Sequence, residues 1–523
     1  MAEESDEAQS SPAPKRPRLE VATDTVARRE DTGRVSRIDG SEIVDWLSAH
    51  GGFVDGCRME SAGPAGFRLV ATRTLPAGHV IARIPSQCVL SCDACCELTM
   101  GRRMQELFDL VVPEEETAGS IAGRGRPVAT RRSLLYAAMM VPPGGLEGKF
   151  GPLLDELRTV DVATPFLWNE AATGSSSSSS APFASHSAIG VAGASWAKLP
   201  SSIAAEWQVY HDHLCAEYSN LFPKLCLAFP EIFPAAHCTE AAWFRAHSLY
   251  TSRALPFQPE RMQPDEVLVP FLDRMNHDSH SAVVSVAWNG VGLEASRGAV
   301  MLREVKAGEE LILSYGCKGN AELVLGYGFA IWGNPHEAAR VCVEVSDFAA
   351  PDCAKLAAVS NAFDVVVDAM RSRAYCRVHR PGTVTFHVTT DDLEAPASQD
   401  SAWAALCKFC RAVGATAGVA VEDVLQDILM RTCTDLVRVE DAAQDFDLEV
   451  WEAHLKRMRA RDSVAVGSAL CATSVDGVTT ALRHAQLVVV MAALKLLMGG
   501  EELPGEVQPS RSLASGNKWC ALQ

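Results

Sequence analysis

Leu311-Ile312-Leu313-Ser314-Tyr315-Gly316, followed closely by Asn320-Ala321-Glu322-Leu323-Val324-Leu325-Gly326-Tyr327-Gly328-Phe329, is the stretch on which the reading of this chain turns. Residues 310–314 are short and rich in Leu and Ile, a strand pattern, and Tyr315 stands at its end. Two other segments have the same character. Asp273-Arg274-Met275-Asn276-His277 follows the apolar run 267–270. Gly66-Phe67-Arg68-Leu69-Val70-Ala71-Thr72-Arg73 leads into a second strand at 80–84 through the turn Leu75-Pro76-Ala77-Gly78. A polar pair such as Asn276-His277 breaking an apolar run needs a reason. Either it satisfies backbone groups in a turn or it serves a ligand.

Outward from these segments the chain divides by pattern. Further strands are expected at 282–288 and 300–302, with turns at Asn289-Gly290 and Lys306-Ala307-Gly308. Residues 97–260 read as mainly helical, with good helices at 132–141, 204–227 and 239–250. Two insertions interrupt them, a Gly/Arg-rich loop at 117–130 and a low-complexity piece at 173–180 with six consecutive serines. A leading helix is expected after Ser41, with Ile43, Val44, Trp46 and Leu47 on one face and Gly51-Gly52 as its stop. Helical spacing returns at 352–373, 401–413, 421–437, 446–460 and 478–498.

Composition narrows the function classes. The chain has 523 residues, 48% hydrophobic and 21% charged, enough apolar material for two or three domains. The net charge of −18 argues against coating nucleic acid, so no direct nucleic-acid binding is expected. The longest apolar run, Leu487 to Leu494, is too short to span a bilayer, and no membrane association is expected. The polar N-terminus does not read as a secretory signal, so the 17 cysteines are expected to be mostly reduced thiols. Cys92, Cys95 and Cys96, and the pair Cys407 and Cys410, lack a matched second half for a zinc site, and no metal is expected. His277 and His280 lack further ligands. There is no phosphate loop, HExxH, GxSxG or GxGxxG.

In order, the surviving motifs resemble a known family. Trp46-Leu47, the G-x-x-L-V-A-T-R hairpin, Thr164-Pro165-Phe166-Leu167-Trp168, Ser252-Arg253, Asp273-x-x-Asn276-His277, Ser314-Tyr315-Gly316 and Asn320 to Phe329 are similar to those of SET-domain protein methyltransferases. The branch resembled is that of the Rubisco large-subunit methyltransferase and the actin-histidine methyltransferase. The resemblance covers about residues 40–335 and implies an α+β fold: a SET-domain β-fold of short strands and small sheets with a helical insertion, then an all-helical C-terminal domain. Residues 1–37, charged and with few aromatics, read as a disordered tail. The resemblance then gives a catalytic domain at 38–345 with its insertion at about 97–260, a substrate-binding domain at 346–500, and a tail at 501–523.

The same resemblance implies the chemistry: S-adenosyl-L-methionine as cofactor and a side-chain nitrogen as methyl acceptor. By position, Ala65, Gly66 and Phe67 match the loop near the cofactor, and Arg253 matches the arginine for its carboxylate. Asn276 and His277 match the donor-binding pair, Tyr315 the catalytic tyrosine beside the cofactor, and Phe329 a wall of the cofactor site. Asp273, Leu255 and Tyr327 match substrate positions. Arg68 departs from the family's G-x-G-L pattern. Leu255 stands where the histidine-modifying group has an asparagine, and an apolar residue there suits a lysine stem. The expectation is a protein-lysine N-methyltransferase acting as a monomer on a non-histone protein. The alternatives are histidine methylation or a catalytically silent binding module. Location is expected to be cytoplasmic, and nuclear if Pro14-Lys15-Arg16-Pro17-Arg18 works as an import signal. Lys456, Arg457, Arg459 and Arg461 form either a solvated helix face or a docking strip.

Overall fold

Short strands bury too little to stand alone, so they gather into small sheets with shared cores. The computed structural model describes residues 41–61, 67–111, 128–142, 148–168, 198–256, 266–278, 282–289, 296–348, 353–370, 376–380, 382–394, 401–437, 471–472 and 475–498. Its largest sheet runs in the order Phe53–Val54, Val80–Pro85, Ser296–Met301, Val284–Asn289, Ile312–Leu313, Asn276–His277. The middle strands are antiparallel, whereas Ile312–Leu313 lies parallel to both of its neighbours. A separate hairpin, Cys57–Ser61 with Phe67–Ala71, sets Met59 opposite Leu69. Leu69, Ile81, Ile84, Val269, Leu311 and Leu313 share one buried core. The strand expected at 267–270 is shorter than its apolar run: Glu266–Val267 pairs with Leu255–Pro256, and Leu268 makes one antiparallel bridge to Leu90. Pro270 has no N–H to donate, and the chain reverses at Phe271 with φ 70°.

The helices of the insertion share one buried core. Thr130 and Thr239 cap Arg131–Met140 and Glu240–Arg253 by accepting the N–H groups of Ser133 and Ala242. Trp243, Phe222, Phe233 and Leu134 fill the core beneath. His247 is half-buried here, with Nδ1 3.1 Å from the Tyr136 hydroxyl. Burial, aided by the Arg132 cation, pushes its pKa down to about 3. The unfolded chain therefore takes up a proton below pH 6.5 that the native chain refuses. Stability should fall as pH drops from 6.5 toward 3, by about 1.4 kcal/mol per pH unit. Denaturant unfolding of wild type and His247→Gln at pH 7 and pH 5 checks this: the wild type should lose more, and equal losses would mean that the native imidazole charges normally.

The C-terminal region is mainly helical, as expected, with Cys353–Met370, Ala402–Ala417, Val421–Leu436 and Val475–Met498 around Phe363, Phe409 and Leu494. It departs from an all-helical domain in one respect. Ala338–Glu344, Thr383–Thr389 and Cys376–Arg380 form a three-stranded antiparallel sheet. The reason is a period-two apolar pattern, Val384, Phe386 and Val388, whose side chains are 0%, 0% and 1% exposed. Ala339, Val341 and Val343 join the same core, so a boundary between residues 345 and 346 falls behind a strand belonging to the C-terminal region. Val475–Met498 carries a stretch long and apolar enough to cross a membrane, and Leu487, Val490 and Leu494 are buried in this core. The expected helix at 446–460 with its basic strip, the 14–18 motif, both tails, the serine run, His280, Ala65 and Gly66 lie outside the described residues.

Candidate active site

Parallel alignment of Asn276–His277 with Ile312–Leu313 puts both strand ends at the same edge of the sheet. Segments about 35 residues apart in sequence therefore deliver His277 and Tyr315 side by side. The Tyr315 N–H donates to His277 Nδ1 at 3.0 Å. An imidazolium could not accept that bond, and burial, the largest influence on His277, lowers its pKa and favours the neutral ring. The Tyr315 hydroxyl donates to the Met275 carbonyl at 2.6 Å.

Asn276 binds the first hairpin to this edge. Its amide donates to the Phe67 carbonyl at 3.1 Å and to Glu310 Oε1 at 2.7 Å. Those N–H groups are therefore engaged within the protein. Arg68, the departure from the family pattern, reaches along the hairpin to Glu60 at 3.1 Å.

Four aromatic rings continue from this point. His277 stacks on Tyr315 with centroids 4.9 Å apart, and Tyr315 stacks on Tyr327 at 4.9 Å. Phe329 stands edge-on to Tyr327 at 6.2 Å. The Lys318 ammonium lies 5.9 Å from the Tyr327 ring centroid. Burial raises the Tyr327 phenol, so it stays neutral across the physiological range. Leu255 is half-buried against the neighbouring core, an apolar flank two residues from Arg253.

Tyr327 and Phe329 are set by a helix and its end. Asn320–Tyr327 begins where the Gly319 N–H donates to Glu322 Oε2 at 3.1 Å. It ends at Gly328, whose N–H donates to the Leu323 carbonyl at 2.9 Å. Two buried groups that sequence reading missed hold the helix start: Glu337 Oε2 accepts the Asn320 N–H at 3.1 Å, and Asn334 donates to the Lys318 carbonyl at 2.9 Å. Burial pushes Glu337 up to about 8. Behind Gly328 lies the Thr164-Pro165 turn, where the Thr164 and Ser248 hydroxyls are 2.6 Å apart.

Arg253 ends helix Glu240–Arg253, and its Nη1 donates to the Asp273 carbonyl at 2.8 Å. The expectation placed Asp273 at a substrate channel; its carboxylate is instead 1% exposed, enclosed between Arg253 at 3.9 Å and Arg274 at 3.6 Å. Arg274 was not anticipated. It is equally buried and meets Glu156 at 3.0 Å. Burial raises the Glu156 carboxyl, opposed by the Arg274 cation. The arrangement gathers Phe67, Arg253, Asn276, His277, Tyr315, Tyr327, Phe329 and Leu255 around one edge, with Asp273 behind them. Among the described residues no three His, Cys, Asp or Glu side chains stand close enough to hold a metal ion. A cavity of about 470 Å³ lies elsewhere, lined by Ser201, Arg340, Thr385 and Arg431 among others. Its arginines are paired with Glu206 and Asp347.

No protein-family model matches the chain. Among curated proteins it is 28% identical over 208 residues to ribosomal lysine N-methyltransferase 1 of Saccharomyces cerevisiae, covering 38% of this chain and 35% of that one. It is 31% identical over 80 residues to ribosomal lysine N-methyltransferase set10 of Schizosaccharomyces pombe, covering 15% and 14%. The chain thus matches about a third or less of the length of these relatives. Among solved structures, the SET domain of LSMT bound to lysine and AdoHcy covers 88% of this chain and 92% of its own, with TM-score 0.54 and 16% identity. Rubisco LSMT bound to sinefungin and monomethyllysine gives 0.55 at 16% identity. At that identity the likeness carries the fold.

Proposed function

We propose that this chain, whose fold is the SET-domain fold of the LSMT structures, is an S-adenosylmethionine-dependent protein-lysine N-methyltransferase. The observation that supports it most is the row His277, Tyr315, Tyr327 and Phe329 at the edge where Asn276-His277 lies parallel to Ile312-Leu313. The residues fit the donor. Arg253 Nε is buried with no hydrogen-bond partner among the described residues, and the side chain keeps 18% exposure, which suits a cation awaiting a carboxylate. The donor supplies an electrophilic methyl group. The protein aligns the reactants and strips water from the acceptor amine, which must lose its proton before it can attack. Tyr327, Phe329 and Leu255 provide apolar surface for that. The leucine beside Arg253 offers no hydrogen bond to an imidazole, which favours lysine over histidine.

The substrate in this reading is a non-histone protein bound by a monomeric enzyme without direct nucleic-acid contact. Ribosomal proteins are the first candidates because both curated relatives are named for them. The site of action is the cytoplasm, with residues 14–18 as a motif for nuclear entry. The test is calorimetry with S-adenosylmethionine, then labelled methyl transfer into a ribosome-containing lysate and mass spectrometry of the labelled protein. Donor binding and a methylated lysine are expected. No binding heat, or label on histidine, would overturn the reading.

A further inference from the structure

We infer that Glu156 and Arg274 are positioning residues: together they fix Asp273, and through it Arg253 and the Met275 carbonyl that receives the Tyr315 hydroxyl. The consequence for donor binding rests on the methyltransferase reading; the mechanical coupling does not. Three observations converge.

The segment is strained. Phe271 has φ 70° and ψ −44°, and the Leu272 N–H donates to the Pro270 carbonyl at 2.9 Å, which closes a tight three-residue turn. A bulky residue holds that conformation only where its surroundings over-determine it. Phe271 is buried in the core, and the one-turn helix Leu272–Arg274 follows at once.

The charges then lock that helix. Asp273 and Arg274 side chains are each 1% exposed and Glu156 is 9% exposed. Neither Asp273 carboxylate oxygen makes a hydrogen bond among the described residues, so charge alone holds it between Arg253 and Arg274. Were Arg274 uncompensated, it would draw Asp273 away from Arg253. Glu156, on the helix Gly151–Thr159, balances it at 3.0 Å.

The displacement has somewhere to go. The Asp273 carbonyl accepts from Arg253 at 2.8 Å, and the Met275 carbonyl, two residues on, accepts from Tyr315 at 2.6 Å. A shift in the short helix therefore reaches both residues.

The test removes both charges together, Glu156→Gln with Arg274→Met, so that no lone charge stays buried. The double variant should melt near the wild type and raise the dissociation constant for S-adenosylmethionine about tenfold or more, because small misplacements cost that much. KM for the protein substrate should hold, and Arg274→Lys should recover most of the donor affinity. Wild-type donor affinity in a folded double variant would overturn the inference. Should the double variant fail to fold, Glu156→Asp, which pulls Arg274 by one methylene, must weaken donor binding about threefold; wild-type affinity there would equally overturn it. If the wild-type protein binds no donor, the methyltransferase reading fails by itself. The positioning claim is then decided in the protein alone by the Arg253 Nε–H resonance, which the double variant should shift and which an unmoved signal would refute.

Discussion

Tyr315→Phe is expected to reduce turnover by roughly two to three orders of magnitude while leaving the affinity for S-adenosylmethionine within about threefold. The ring is held by stacking on both His277 and Tyr327, each with centroids 4.9 Å away, and phenylalanine preserves that shape. What is lost is the hydroxyl. It donates to the Met275 carbonyl, and in the proposed reaction that bond orients the phenolic oxygen so that its lone pairs remain for the reacting centre. A preorganised dipole of this kind acts on developing charge without reorganising, which is why one such group carries so large a share of the rate. The buried Met275 carbonyl also loses a donor, at a cost of about 1–3 kcal/mol in stability. Calorimetry for the donor and single-turnover methyl transfer separate the two effects. Turnover within threefold of wild type would show that Tyr315 is only a packed ring.

Much of this site could be read from residue order, because its parts are short segments whose residue types are unusual where they stand. Asn276-His277 breaks an apolar run, and Tyr315 ends one. Their meeting, however, depends on a parallel pairing that no local pattern announces. Asp273 shows the limit more sharply. Its place in the motif implied a position at the substrate channel, but whether a carboxylate faces a channel or two arginines depends on side chains more than 100 residues away, such as Glu156. Arg274 sat inside the motif unremarked, because an arginine between motif residues looks like a solvated spacer until its burial is known. The hairpin 376–389 was missed for another reason. Its strands adjoin long helical windows, and Thr-Val-Thr-Phe-His-Val-Thr declares itself only when read at period two.

A large stability effect is expected at Gly328, and it links the fold to the site. Gly328 has φ +81°, a conformation that a side chain makes costly. A Cβ there would lie 2.6 Å from the Ala163 carbonyl carbon and 2.9 Å from the Thr164 nitrogen. Both are backbone atoms, and Thr164 is fully buried and held to Ser248, so neither can yield as a flexible side chain would. Strain and overpacking add, and Gly328→Ala should lose about 3 kcal/mol or more, a drop in melting temperature of roughly 3–5 °C. Gly326 is the control. It is helical, has no positive φ, and nothing beyond its own helix comes within 4 Å of its Cβ position, so Gly326→Ala should be neutral or stabilising by up to about 1 kcal/mol. The two variants differ in function as well. Gly328 separates Tyr327 from Phe329, so the backbone shift that accommodates a methyl group must move at least one of those rings against Tyr315. Turnover of folded Gly328→Ala should therefore fall while that of Gly326→Ala holds. Equal melting temperatures for the two variants would mean that the Thr164 turn gives way freely and does not buttress the aromatic row.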